Sequence, residues 1–178
     1  LRLACGQGDS PIGPYRELVP GRRGDAFVLF RTRRSDPRAE FLSSIDFPFS
    51  AFGRIQDKTD FPCIDEDGEF AMGLIAEHLV QRGHKRIACI GPPERIMFSD
   101  VRLKSIQTHL TRLGVGLDPE LIRIGYFSQE AGYQQTMQLL DLPNPPTAII
   151  GFNDLIAFGA INAGKDRGLQ IGRDLAGT

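Results

Sequence analysis

No stretch of this chain approaches the roughly 20 consecutive apolar residues that a membrane-crossing helix requires. Positive charge is not in excess either. Lys and Arg number 21 against 22 Asp and Glu, giving a net charge of −1 and a pI near 6.3. A surface built to neutralise phosphates carries the opposite balance, so the chain alone is expected to bind duplex DNA poorly. The main local exception, Arg31, Arg33, Arg34 and Arg38, reads as a solvated loop and helix start. Cysteine is scarce and odd in number. Cys5, Cys63 and Cys89 are widely spaced, two of them in apolar surroundings, and are expected to be reduced core thiols rather than a disulfide or zinc set, which favours a cytoplasmic compartment.

Catalytic signatures are missing as well. There is no G-x-S-x-G elbow and no G-x-G-x-x-G fingerprint, so neither a hydrolase nor a dinucleotide enzyme is expected. His78, His84 and His109 do not fall at metal-ligand spacing, and no Cys or carboxylate completes a site; no metal and no cofactor is expected. Gly159 to Asp166, GAINAGKD, has the glycine and lysine spacing of a phosphate loop. It ends a helix instead of joining strand to helix, and Asp166 stands where a Ser or Thr would hold magnesium. Asp65 and Asp67 look like a paired carboxylate, but they precede a helix, where negative charge complements the dipole. No repeat of solenoid period and no low-complexity tract occurs.

What remains is an ordinary globular chain of 178 residues, 41% hydrophobic and 24% charged, large enough for one substantial core or two small lobes. It opens Leu1-Arg2-Leu3 without an initiator Met, so the true N-terminus is expected to lie upstream. Strand-like and helix-like segments alternate, which predicts α/β architecture with mainly parallel sheets flanked by helices. Strands are expected at Leu1 to Ala4, Ala26 to Phe30, Phe49 to Phe52, Cys63-Ile64, Ile87 to Ile90, Ile122 to Ile124 and Ala148 to Ile150. Helices are expected around Pro14 to Val19 and Pro37 to Ile45. A longer one, Asp67 to Arg82, places Ala71, Ile75 and Leu79 on one face, with Asp67 as cap and Gly83 as left-handed stop. Leu103, Ile106, Leu110 and Leu113 mark another, closed by Gly114. Ser128 caps a third, running to about Leu142, and Asp154 a fourth, ending at Gly164. A change of character near Ile64-Asp65 divides the chain into lobes 1–64 and 65–178.

Two junctions carry the functional reading. Gly83 to Gly91, GHKRIACIG, reads as helix stop, basic turn and buried strand. Pro145 to Ala160, PPTAIIGFNDLIAFGA, reads as buried strand, an Asn-Asp pair and a small-residue helix. Both are strand ends that hand polar side chains to a crevice, where open α/β sheets bind ligands. Together with GDAFVLF, FPFSAFGR, IDEDGEFAMGLIAEHLVQRGHKRIACIGPP, Arg102-Leu103 and GYFSQEAGYQQTMQLL, they resemble in order the effector-binding core of the LacI/GalR transcription regulators, over most of the chain. The resemblance implies a two-lobed periplasmic-binding-protein-like fold with a ligand cleft. It also implies a homodimer in the cytoplasm and operator DNA bound through a helix-turn-helix headpiece absent here. The first strand and helix of the first lobe, and the C-terminal segment returning to it, are missing relative to the family. FPFSAFGR and IGPPERIMFS are closer to the α-glucoside type of regulator than to the purine type.

The candidate ligand contacts follow. The planar fork of Arg102 can donate two bonds to adjacent hydroxyls; spacing alone equally fits a solvated helix-start residue, and the resemblance, which implies an effector-contacting arginine at this place, favours the ligand role. Asn153 can donate and accept at once, as a sugar hydroxyl does, or serve as a turn or cap. The resemblance implies an aromatic against the ligand at Phe127, whose ring suits the C–H face of a pyranose, or packs in the core. The resemblance adds Phe52 and Arg54 from the other lobe, without the carboxylate that some relatives carry near there. Met97 and Phe98, on the loop Pro92 to Asp100, read as lid or pocket wall, or as core. The expected effector is a mono- or disaccharide, with Arg102 pointing away from the core and of little weight in stability. The alternative is a periplasmic sugar-binding protein of a transport system, which a signal peptide would mark.

Overall fold

The computed structural model describes residues 10–21, 24–56, 60–92 and 96–177. The strand expected at Leu1 to Ala4, and Cys5, lie outside them. The chain divides into two compact units, Leu1–Glu66 with Arg95–Phe98, and Asp67–Glu94 with Ser99–Thr178.

In the first unit, α1 (Gly13–Leu18), β1 (Phe27–Leu29), α2 (Pro37–Ser44), β2 (Phe49–Phe52) and β3 (Cys63–Ile64) follow one another. The strands pair in parallel in the order β1-β2-β3. Leu29 and Ala51 face a core with Leu42, Tyr15, Ile55 and Phe61, while Val28, Phe30, Phe52 and Ile64 are exposed. Helix α2 starts where it does because Pro37 occupies the first turn and Asp36 accepts the Arg38 N–H. Asp36 is fully buried and pairs with Arg38 at 2.6 Å. Burial alone would raise its carboxyl, but the Arg38 hydrogen bond and charge and the N–H groups of Arg33 and Arg38 outweigh that and hold it below the ordinary value. The same Arg38 donates to the carbonyls of Phe30 and Arg31. The reading of this arginine cluster as solvated is therefore corrected at Arg38, which is a structural clamp.

The second unit holds α3 (Gly68–Gln81), β4 (Ile87–Gly91), α4 (Met97–Arg112, whose first two residues fall in the first unit), β5 (Ile122–Ile124), α5 (Gln129–Leu140), β6 (Ala148–Gly151), α6 (Asp154–Asp166) and β7 (Ala176–Gly177). All its strands are parallel, in the order β5-β4-β6-β7. Every residue of β4 is buried. Ile87 and Cys89 face α3 and α4 through Met72, Ala76, Leu79, Ile106 and Leu110. Ala88 and Ile90 face α5 and α6 through Leu139, Ile156 and Ala160. A strand buried on both sides reads as an unbroken apolar run, as IACI does.

Several expectations shift by one step. Ala71 is exposed and Ile75 half-buried; the buried stripe of α3 is Met72, Ala76 and Leu79 with Gly73. Gly73 decides the rotation, because a Cβ there would meet the His109 ring at 2.9 Å, so α3 and α4 approach closely on that side. The end of α3 comes as expected, with Gly83 at φ +86. Asp67 caps α3 by accepting from the Phe70 N–H, whereas Asp65 does not cap; it pairs with Arg54. Helix α4 starts at Met97, not near Arg102, and Leu113 lies beyond its end, partly exposed. The GAINAGKD segment lies entirely within helix α6, unlike a phosphate loop, since α6 runs through Asp166.

The core-thiol expectation holds for Cys89, buried and pushed up to about 12 by that burial, and fails for Cys63, which is exposed. A thiol held so far above neutral pH is unreactive. Iodoacetamide at pH 8 on the folded chain should label Cys63 and leave Cys89 untouched in peptide maps, until denaturant exposes Cys89 as well. Labelling of native Cys89 at the rate of Cys63 would contradict the packing of β4.

Candidate functional site

In the second sheet, β4 sends its connection through α4 to β5 on one side, and β6 sends its own through α6 to β7 on the other. A crevice opens at the carboxyl ends of neighbouring strands whose connections diverge in this way. Here those ends are Gly91 of β4 and Gly151 of β6. They are pinned to each other and to β5, because the Phe152 N–H donates to Ile90 O at 3.0 Å and the Gly125 N–H to Gly91 O at 2.8 Å.

Arg102, in the second turn of α4, reaches these ends. Its Nη1 donates to the Phe152 carbonyl, and its Cγ would sit 3.6 Å from a Cβ placed on Gly68, the first residue of α3. The side chain is half-buried. Part of the guanidinium thus holds the β6–α6 turn, against the expectation that Arg102 is of little weight in stability. Asn153 follows at once in that turn. It, and not Asp154, is the cap of α6: its Oδ1 accepts from the Ile156 N–H at 2.9 Å. The reason is geometric. Asn153 has the extended backbone a capping residue needs, and Asp154 is already the first helical residue, where its charge favours the helix dipole. With Oδ1 engaged, the Nδ2 donor is the part of Asn153 turned to other uses.

Phe127 lies half-buried between β5 and Ser128, whose hydroxyl caps α5 by accepting from the Ala131 N–H. The structure therefore brings Arg102 and Asn153 together through Phe152 and places Phe127 at the same end of the sheet. In the first unit, Phe52 ends β2 and stacks on Phe30, with ring centroids 5.8 Å apart. Arg54, two residues on, donates from Nε to Asp65 at 2.7 Å. Phe98 is half-buried in the first turn of α4; the lid-like loop assigned to it and Met97 is helix from Met97 onward, anchored where the Met97 N–H meets Thr32 O.

Sequence reasoning missed Phe152, Gly91 and Ser99, which support this site from below. A Cβ on Gly91 would lie 2.7 Å from Cδ2 of Phe152 and 3.3 Å from Oγ of Ser99. The available signal was a glycine closing an all-apolar strand, a common mark of close approach. A separate polar groove of about 450 Å³ runs between α5 and α6, lined by Glu130, Tyr133, Lys165 and Asp166 among others. The Tyr133 hydroxyl donates to Asp166, which raises it above its ordinary value. This groove reaches from the first turn of α5, at Gln129 and Glu130, to the last turns of α6, and its lining includes none of Arg102, Phe127 and Asn153. Among the described residues no group of His, Cys, Asp and Glu is placed to hold a metal, and no helix is long and apolar enough to cross a membrane.

Comparison with known proteins identifies what this arrangement belongs to. Residues 76–176 match the periplasmic binding protein-like domain model. The HTH-type transcriptional regulator AglR of Rhizobium meliloti is 36% identical over 91% of this chain, which spans 46% of AglR's length. A LacI-family regulatory protein from Chloroflexus aggregans superposes with a TM-score of 0.81 at 38% identity, covering 93% of this chain and 60% of the other. The transcriptional regulator CelR, solved as a cellobiose complex, superposes at 0.80 with 25% identity, covering 94% and 52%.

Proposed function

We propose, because the chain belongs to the periplasmic binding protein-like family and within it to the LacI-type transcription regulators, that it is the effector-sensing core of such a regulator. The chain spans about half the length of the curated relatives it matches, and contact with operator DNA falls to a segment outside it. Its lobes are 1–64 and 65–178, and its effector is a small sugar, a mono- or disaccharide. The observation that carries this reading is the Arg102–Phe152–Asn153 constellation at the diverging strand ends of β4 and β6. A guanidinium reaching from α4 and a primary amide just past β6 offer directed hydrogen bonds to vicinal hydroxyls. Phe127 supplies an apolar wall, and Phe52, Arg54 and Phe98 complete the contacts.

Effector binding and DNA binding are then coupled reciprocally, by about 1–3 kcal/mol in typical cases. The protein acts in the cytoplasm as a homodimer, because pseudo-palindromic half-sites need paired subunits. It uses no cofactor and performs no catalysis. The regulator reading is favoured over a transport protein because the matched relatives are regulators.

Gel shifts on the DNA upstream of the parent gene test this reading. The 178-residue chain, slightly negative in net charge, should leave that DNA unshifted. The parent protein should shift it, and a binding sugar should change the midpoint by roughly 5- to 150-fold. Tight, sequence-selective binding by the chain alone, or a parent protein indifferent to every sugar, would count against it.

A further inference from the structure

The Phe152 ring is 2% exposed, belongs to the core shared with α3 and α4, and rests on Gly91 and Ser99. Its backbone does something different. The carbonyl takes the Arg102 guanidinium, its N–H is fixed to Ile90 O, and the next residue is Asn153. One residue thus sets the aim of both polar groups in the strand-end site, and its own place is set by the missing side chain at Gly91. Directed hydrogen bonds need their donors held to within about 0.5 Å by the residues behind them.

We propose that Phe152 is a positioning residue for the effector site, with Gly91 as its seat. The packing of its ring on β4 and Ser99 fixes the plane of the Arg102 guanidinium and the direction of the Asn153 amide. This rests on the reading of Arg102 and Asn153 as effector contacts, and adds that their geometry is dictated by a buried side chain that never meets the ligand. A methyl group at Gly91 pushes the ring, moves the Phe152 carbonyl, and carries Arg102 and Asn153 with it. A smaller side chain at 152 makes room for that methyl group.

The test uses three variants of the chain, Gly91→Ala, Phe152→Leu and the pair combined, with two readouts. The first needs no ligand: the NMR resonances of the Arg102 Nε–H and the Asn153 side-chain amide, with Arg112 and Asn162 as internal references. The second is calorimetric affinity for maltose and cellobiose. Gly91→Ala should shift or broaden the Arg102 and Asn153 signals while the references stay in place, and weaken sugar binding about tenfold. The double variant should return the signals toward their native positions and recover most of that loss, a compensation that general destabilisation does not produce. Should Gly91→Ala fail to fold, Phe152→Leu alone must still displace both signals. If melting temperatures fall while the Arg102 and Asn153 signals and the sugar affinities hold, Phe152 merely fills the core and the proposal is wrong. If neither disaccharide binds the native chain, the disaccharide reading fails, and the two resonances still decide whether Phe152 sets their geometry.

Discussion

Gly159→Ala should destabilise the second unit by about 3 kcal/mol, although alanine is the better helix former by about 1 kcal/mol. A Cβ on Gly159 would lie 2.1 Å from Gln129 O and 2.6 Å from Tyr133 N. Across the same crossing, a Cβ on Gly132 would lie 2.3 Å from Ile156 O. Both obstacles are backbone, which no rotamer change can clear, so α5 and α6 must separate and the Ala160, Ile156 and Leu139 packing opens with them. The steric term outweighs propensity and sets the sign. Gly116→Ala, with nothing within 4 Å of the added carbon, should stay within about 0.5 kcal/mol of the native chain. Urea melts of the two variants check this, and a Gly159→Ala chain as stable as native would mean that the helices do not cross where they do here.

Asp36→Ala should cost a similar amount, about 3 kcal/mol, at neutral pH. It removes the cap of α2 and leaves Arg38 in place without its buried partner. Asp36→Asn keeps the acceptor that caps the helix and should recover part of the loss. The pH dependence has a definite sign. The Asp36 carboxyl sits below its unfolded value of 3.8, so the folded state prefers it ionised. Its contribution is present in full above that value and is lost as pH falls through the lower, folded one. The acid limb of the stability curve should therefore be shallower in Asp36→Asn than in the native chain. An identical limb in both would contradict the buried ion pair.

Elements with strong local punctuation were legible before any coordinates. Asp67 and Gly83 bracket α3, Ser128 caps α5, and the apolar run IACI between its glycines reads as a buried strand, which it is. The failures share a physical cause, since each turned on a contact distant in sequence. Ala71 and Met72 are both apolar, and only the approach of His109 to Gly73 chooses which one faces inward. Asp65 and Asp67 look alike along the chain, yet Arg54, 11 residues away, takes one and the helix takes the other. Likewise, Asn153 and Asp154 both suit a cap, and the strand end of β6 decides between them. At the candidate site the polar residues proposed to meet the ligand could be named from their type and place together with the resemblance to the LacI/GalR core. The residues that hold them could not, because a buried Phe152 and a strand-end Gly91 carry no polar signature of their own.

The central claim is that this chain senses a sugar through Arg102 and Asn153, and isothermal titration of a mono- and disaccharide panel against the native chain and Arg102→Ala tests it most directly. Arg102 also braces the Phe152 carbonyl, so the variant is compared at a temperature where its melting curve shows it folded. The account predicts that at least one sugar binds the native chain and that Arg102→Ala loses roughly 2–3 kcal/mol of that binding, about 30- to 150-fold in affinity. Binding of a purine or an amino acid with no sugar bound, or a sugar held equally well by Arg102→Ala, would contradict it.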